Sequence, residues 1–268
     1  MKCKVVNAEN AAVGDIELPV QFNEAVRPDL IQRAVLALQA NRRQRYGADP
    51  MAGKKTAVRI SKRRRDYRGS YGIGISRVPR KVVSRRGTRI NWVGAFAPGT
   101  VGGRRAHPPK SRKEWVQKVN KKENRKAIRS AIAGTLNKAV VEARGHKAPK
   151  NWPFIVADDF ESIGKTKKVI EGLNKLGFDA ELKRSSKKTI RAGRGTMRGR
   201  KYVKKKGILF VVSQKCNLEK AAKNIPGADV VEVKGLNAEL LAPGAMPGRL
   251  ALFTKAAVEK MAKEKLFM

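Results

Sequence analysis

The apolar positions of the N-terminal half fall into strand-like and helix-like patterns. Short extended runs at residues 2–7 and 15–20, joined around 12–14, predict a hairpin. Leu30, Ile31, Ala34, Val35 and Leu38 repeat at helical spacing behind Pro28, whose missing N–H costs nothing at a first helical position. That helix runs out near Asn41. Trp115, Val116 and Val119 suggest a short helical turn. Asn120 followed by Glu123 resembles a capping box. After it Ile128, Ala131, Ile132, Thr135, Leu136, Ala139 and Val140 form one stripe, with Gly134 as a candidate bend and Gly145 as a stop.

From Pro153 the pattern changes. Phe154-Ile155-Val156-Ala157, Ile208-Leu209-Phe210-Val211-Val212 and Leu250-Ala251-Leu252-Phe253 are apolar runs without alternation, as in strands covered on both faces. Val230-Val231-Glu232-Val233 predicts another strand. Between them lie a helix over 165–176 with Gly177 at its C-terminal cap, a short helical piece at 178–184, and a helix over 218–224. Asn237 caps a short helix through Leu241. Thr254 caps the last helix, with Ala257, Val258, Met261 and Leu266 on its stripe. Alternation at this spacing predicts an α/β fold, a mostly parallel sheet covered by helices.

Between the two helices of the N-terminal half, residues 41–113 show no persistent helical or strand period. The segment is crowded with cations: Arg42, Arg43, Arg45, Lys54, Lys55, Arg63, Arg64, Arg65, Arg68, Arg77, Arg80, Lys81, Arg85, Arg86, Arg104, Arg105 and Lys110 among them. Only Asp49 and Asp66 oppose them. Tyr46, Tyr71, Trp92, His107 and many glycines are interleaved. So few branched aliphatics cannot bury enough surface to offset the ordering entropy. The expectation is a body of residues 1–40 and 114–268 with a long irregular basic arm, 41–113, that becomes ordered by threading into a polyanion. Without the arm about 195 residues remain, enough for one well-buried core.

Net charge strengthens this expectation. With 61 Lys and Arg against 22 Asp and Glu the chain carries +39, which makes a polyanionic partner the economical explanation. Nucleic acid is favoured over an anionic membrane, because no long apolar run and no basic amphipathic helix with an apolar face is visible. Cys3 and Cys216 make neither a disulfide framework nor a metal quartet. Asn7, Glu9 and Asn10 interrupt any apolar leader, so a cytoplasmic location is expected.

The motifs weigh toward binding rather than chemistry. Gly164-Lys165-Thr166 follows a strand and opens a helix, as a phosphate-binding loop would. However, Asp159 stands where the first glycine belongs, and Asp158 and Glu161 would repel a triphosphate. Those acids suit a helix cap instead. An RNA-dependent NTPase or RNA-modifying enzyme using this loop is the competing reading. No catalytic residue, cofactor or metal is expected. His107 and His146 sit among basic residues and prolines, where phosphate or carbonyl contact is favoured over metal ligation.

A second acid-free stretch, 183–206, contains Arg191, Arg194, Arg198, Arg200, Lys201 and Tyr202 among glycines. Its spacing is not a dinucleotide fingerprint, and no strand is read ahead of it. Glycines permit close backbone approach, arginine forks chelate phosphates, and Tyr202 offers a stacking face. No helix-turn-helix, zinc finger or basic zipper is visible. Irregular basic chain with scattered aromatics suits folded RNA.

Arg42-Arg43-Gln44-Arg45-Tyr46-Gly47-Ala48-Asp49-Pro50, Gly102-Gly103-Arg104-Arg105-Ala106-His107-Pro108-Pro109-Lys110, residues 192–206, Leu236-Asn237-Ala238-Glu239-Leu240-Leu241-Ala242-Pro243-Gly244 and Pro247-Gly248-Arg249-Leu250 together resemble the archaeal/eukaryotic branch of the L-four family of large-subunit ribosomal proteins. The resemblance covers nearly the whole chain in order. It implies an α/β body on the outer surface of the large ribosomal subunit and an arm running into ribosomal RNA. It also implies that the arm's tip, about 67–80, lines the nascent-peptide exit tunnel through Tyr71, Gly72, Ile73, Gly74, Ile75 and Arg77. The family commonly places an arginine directly after the second glycine, where Ile75 stands here. Implied partners are large-subunit ribosomal RNA, neighbouring large-subunit ribosomal proteins and the passing nascent polypeptide, with no membrane.

Overall fold

The computed structural model describes residues 1–52, 58, 60–66, 70–87, 89–100 and 103–268. Lys54, Lys55 and Arg68, expected as RNA contacts, lie outside the described residues. In chain order the elements are β1 (Lys2–Val6), β2 (Ala12–Glu17), α1 (Pro28–Asn41), β3 (Arg80–Arg86), β4 (Arg89–Gly94), α2 (Lys121–Leu136), α3 (Lys138–Ala143) and β5 (Ile155–Val156). They continue with α4 (Thr166–Lys175), α5 (Asp179–Ser186), β6 (Lys188–Ile190), β7 (Tyr202–Lys204), β8 (Leu209–Val212) and α6 (Asn217–Ala222). β9 (Asp229–Glu232), α7 (Ala238–Leu241), β10 (Ala251–Phe253) and α8 (Lys255–Lys263) complete the chain. Residues pack into two compact units, Met1–Arg42 with Val116–Met268, and Arg43–Trp115.

The first unit is built on two three-stranded sheets. β1 pairs antiparallel with β2 and parallel with β5, while β8 pairs parallel with both β10 and β9. A parallel bridge from Val156 to Thr254 links the two sheets. Adjacent residues of the buried strands point to opposite faces and feed two apolar clusters. Leu209, Val211, Ala251 and Phe253 join Ile31 and Val35 of α1, Ile132 of α2, Leu241 of α7 and Met261 of α8. Phe210, Val212 and Leu252 join Val169 and Leu173 of α4 and Leu218 of α6. Cover on both faces is why these runs lack alternation.

Local chemistry explains the departures from the sequence reading. The N-terminal turn lies at residues 7–11, not 12–14, because the Asn7 side chain accepts from the N–H groups of Glu9 at 3.0 Å and Ala11 at 2.8 Å. Asn137 ends α2 and caps α3 by accepting from the Ala139 N–H, so the expected single stripe stops at Leu136 and Ala139 is exposed. Asn120 precedes α2, but its side chain makes no cap bond, and Glu123 instead meets Arg33 at 3.4 Å. Trp115, Val116 and Val119 form no helical turn.

Two buried side chains tie distant parts of this unit. The Gln21 amide donates to the carbonyls of Met261 and Leu266 at 3.3 and 3.0 Å. Arg249 is wholly enclosed and donates to the carbonyls of Gly207, Leu240 and Gly227 and to Asp229. Burial pulls the Arg249 pKa down and the Asp229 carboxylate, 2.5 Å away, pulls it back up.

Candidate nucleic-acid interface

The second unit contains an antiparallel hairpin where no strand was expected. β3 and β4 pair from Arg80 opposite Gly94 to Arg86 opposite Arg89, with a register shift between Val82 and Ser84. Its β-branched valines favour extended backbone, yet Val82, Val83 and Val93 stay exposed. β3 is exposed beyond Arg80 and only Ile90, Trp92 and Gly94 of β4 alternate toward partial cover, a signal too short to stand out among the surrounding cations. The hairpin displays Lys81, Arg85 and Arg86 to solvent, and the Arg80 guanidinium lies 5.5 Å from the Trp92 ring centre.

Ahead of the hairpin, Tyr71, Gly72, Ile73, Gly74, Ile75 and Arg77 are all exposed. Gly72 and Gly74 adopt positive φ of 75° and 66°, which a side chain would oppose. Arg77 packs over Tyr71 at 4.6 Å. Arg63, Arg64 and Arg65 are exposed. Arg104 lies 5.2 Å from the Phe96 ring centre.

A second cationic group gathers Arg43, Tyr46, Arg105, His107, Lys110 and the unforeseen Trp115. Tyr46 and Trp115 are near-parallel, 14° apart with ring centres at 6.0 Å. Arg43 lies 3.6 Å from the Trp115 ring centre, and Lys113 lies 4.3 Å from it. Arg45 is exposed, whereas Arg42 belongs to the first unit and pairs with Glu239 at 2.6 Å.

The third group is in the first unit. β6 and β7 form an antiparallel hairpin, so a strand does precede the glycine-arginine run, contrary to expectation. Between them Arg191 accepts from the Thr196 hydroxyl through its carbonyl, and its Nε donates to the Arg200 carbonyl at 3.0 Å. Gly193 and Gly199 take positive φ. Arg194, Arg198, Arg200 and Lys201 stand exposed on this frame, and Lys188 and Lys201 flank the Tyr202 ring at 5.9 and 5.6 Å.

Beneath that hairpin lies a buried network that sequence reasoning missed. Glu181 accepts from Arg184, from His146 Nδ1 at 2.8 Å and from the Lys147 N–H at 3.0 Å; Arg184 also donates to the Lys206 carbonyl at 2.6 Å. Burial would raise the Glu181 carboxyl, but the hydrogen bonds from Arg184, His146 and Lys147 outweigh it and hold the pKa at about 2. Burial lowers the His146 pKa against the pull of Glu181. His146 is therefore a structural donor and not a phosphate contact. No local pattern could have paired it with a carboxylate 35 residues away.

The Gly164-Lys165-Thr166 loop is likewise occupied by structure. The Thr166 hydroxyl donates to the Ala221 carbonyl at 2.9 Å. Asp158 does cap a helix, though not the following one, and Glu161 bonds that helix's cap residue instead of its backbone. Asp158 accepts from the Ala256 N–H in the first turn of α8, and Glu161 accepts from the α8 cap Thr254 and from Ser213. Among the described residues no group of three or more His, Cys, Asp or Glu could hold a metal, and no helix is long and apolar enough to cross a membrane.

The chain is 50% identical over 268 residues, covering both proteins completely, to "Large ribosomal subunit protein uL4" of Nanoarchaeum equitans. It is 48% identical over 263 residues, 97% of each protein, to the protein of that name from Archaeoglobus fulgidus. With the one from Halobacterium salinarum it shares 43% identity over 266 residues, 98% of this chain and all of the relative. The sequence pattern of the ribosomal protein L4/L1 family matches residues 16–264, and the chain belongs to that family.

Proposed function

We propose that this protein is a structural constituent of the large ribosomal subunit, acting in the cytoplasmic ribosome by binding large-subunit ribosomal RNA and helping its assembly. The observation that carries the reading is full-length similarity to proteins named for that subunit. The charge of +39 and the exposed, acid-poor groups on both units supply the physical means. Each phosphate neutralised should lower log affinity by about 0.7 to 0.9 per log unit of salt. Neighbouring large-subunit proteins are further partners. The competing NTPase reading has no support: the loop lacks the first glycine, and the Thr166 hydroxyl is engaged by the Ala221 carbonyl.

In this reading residues 41–113 are an arm threaded into RNA, with Arg63, Arg64 and Arg65 among its phosphate contacts. Its tip, about 67–80, lines the exit tunnel and meets the nascent polypeptide. Exposed Ile73 and Ile75 and the two positive-φ glycines suit an uncharged stretch at residues 70–76, with Arg77 at its edge.

Sedimentation of native extract through a high-salt sucrose gradient tests the assignment. The protein should remain with the large subunit after loose factors are stripped; migration to light fractions would overturn it. Replacing Arg63, Arg64 and Arg65 with Ala should weaken incorporation in competition with the wild type. Deleting residues 67–77 should spare incorporation and alter nascent-chain passage, so loss of assembly would contradict the tip assignment.

A further inference from the structure

The geometry points to a slot for one unpaired RNA nucleotide in the cleft between residues 43–49 and 105–115, its base against Tyr46 and its phosphates among Arg105, Lys110 and Arg112. This rests on the RNA-binding reading above and assigns it a defined subsite.

The cleft is preformed. Its two walls are joined by the Ala48 N–H donating to the Pro109 carbonyl at 2.9 Å. Gly47 runs so close to the opposite wall that a Cβ there would lie 2.4 Å from the Ser111 nitrogen. The open cleft offers about 750 Å³, enough for a nucleotide. Neither Asp49 nor Glu114, the two acids within these segments, is among the described residues that line it.

Two features separate this cleft from an ordinary phosphate-binding surface. The first is the aromatic pair. Tyr46 is half-exposed and held nearly parallel to Trp115, with Arg43 lying against the Trp115 ring and donating to the Tyr46 hydroxyl at 3.2 Å. A duplex backbone has no use for such a platform, whereas an unstacked base gains by stacking on it. The second is the Trp115 indole N–H, which is shielded from water and has no acceptor among the described residues. Shielded donors are nearly always satisfied, so a ligand that shifts the ring enough to reach this one with an acceptor gains a bond the free protein lacks. A base carbonyl or a phosphate oxygen supplies one. Cations and stacking face together match a nucleotide, which presents both anion and ring.

The test uses the full chain and an in vitro transcript of the large-subunit ribosomal RNA from the same organism. Zero-length ultraviolet cross-linking followed by peptide mapping should place a nucleotide adduct on Tyr46 or Trp115. Trp115→Phe keeps a ring and removes the donor; Tyr46→Leu removes the stacking face. Each should weaken transcript binding about tenfold without changing its slope against salt. Lys110→Ala should instead reduce that slope by about 0.7 to 0.9. Circular dichroism matching the wild type shows that the variants are folded. The subsite is overturned, with RNA binding intact, if the wild type binds with a steep salt slope while no adduct maps to the cleft and both aromatic variants bind like it. Polyglutamate protecting the cleft as well as the transcript does would assign it to acidic peptide and also overturn it. Absence of salt-dependent binding by the wild type would overturn the broader reading as well.

Discussion

Asn41 and Gln117 hold each other where the chain leaves and re-enters the α/β unit. The Asn41 amide donates to the Gln117 carbonyl at 3.3 Å, and its oxygen accepts from the Gln117 N–H at 2.9 Å. One side chain thus joins positions 76 residues apart in the chain. Replacing Asn41 with Ala should lower unfolding free energy by only about 1 kcal/mol, since the pair is exposed. The larger effect should be local. Limited trypsin digestion should cut faster after Arg42, Arg43 and Lys118 in the variant, and an unchanged cleavage rate would refute the clasp.

The His146–Glu181–Arg184 network predicts an acid-sensitive fold. The Glu181 pKa is about 2, against an ordinary 4.5, so the unfolded chain takes the proton first as pH falls. Its stabilisation is complete above about pH 4.5 and drains between there and about 2. His146 acts in the same direction. Its pKa lies below the ordinary 6.5, so the unfolded chain again binds the proton first and stability declines as pH falls below 6.5. Each group contributes at most about 1.4 kcal/mol per pH unit. Glu181→Gln should unfold at lower temperature at pH 7 and respond less to pH below 4.5. Parallel melting curves for the two proteins across that range would contradict this.

Arg249 predicts a large loss from one substitution. Arg249→Met fills similar volume but leaves the carbonyls of Gly207, Leu240 and Gly227 without this donor. A loss of about 3 to 5 kcal/mol is expected, the scale for breaking a buried charged cluster. Urea unfolding measures it, and a midpoint close to wild type would show that water or neighbouring groups replace the guanidinium.

Asp158 and Glu161 should prove energetically linked through the start of α8. Asp158→Ala loses the bond to the Ala256 N–H, and Glu161→Gln weakens the acceptor for Thr254 and Ser213. Each should cost about 1 to 2 kcal/mol. Because both act on the same helix start, their double-mutant cycle should show a coupling of at least about 0.5 kcal/mol. Strict additivity would mean that the two carboxylates serve separate structures.

What the sequence made legible follows from how far each interaction reaches. Thr254 and Asn237 cap α8 and α7 through bonds three residues on, and both caps were readable. The buried strands were readable because cover on both faces writes itself as an unbroken apolar run. The hairpins β3–β4 and β6–β7 left little such imprint: β6 and β7 are exposed throughout, and β4 is only partly covered at Ile90, Trp92 and Gly94. Trp115 looked like part of a helical stripe, but its ring stacks with Tyr46, 69 residues earlier in the numbering. Asp158 reads locally as the cap of the next helix, yet its partner Ala256 is 98 residues away. Cationic composition marked the candidate interface early; which arginines stand free and which, like Arg42, are engaged by the fold needed coordinates.

The bonds from Gln21 to Met261 and Leu266 also impose an order in time. A chain made from its N-terminus exposes Gln21 long before either carbonyl exists. At about 5 to 20 residues per second, synthesis of the intervening 240 residues takes roughly 12 to 48 seconds. Throughout that interval Gln21 lacks its C-terminal partners, and β1 waits for β5 while about 150 residues of cation-rich chain are made. The fold closes from its far end, so a chain released prematurely, even a few residues short of Leu266, would retain its cations while lacking the seal that makes them part of a defined surface.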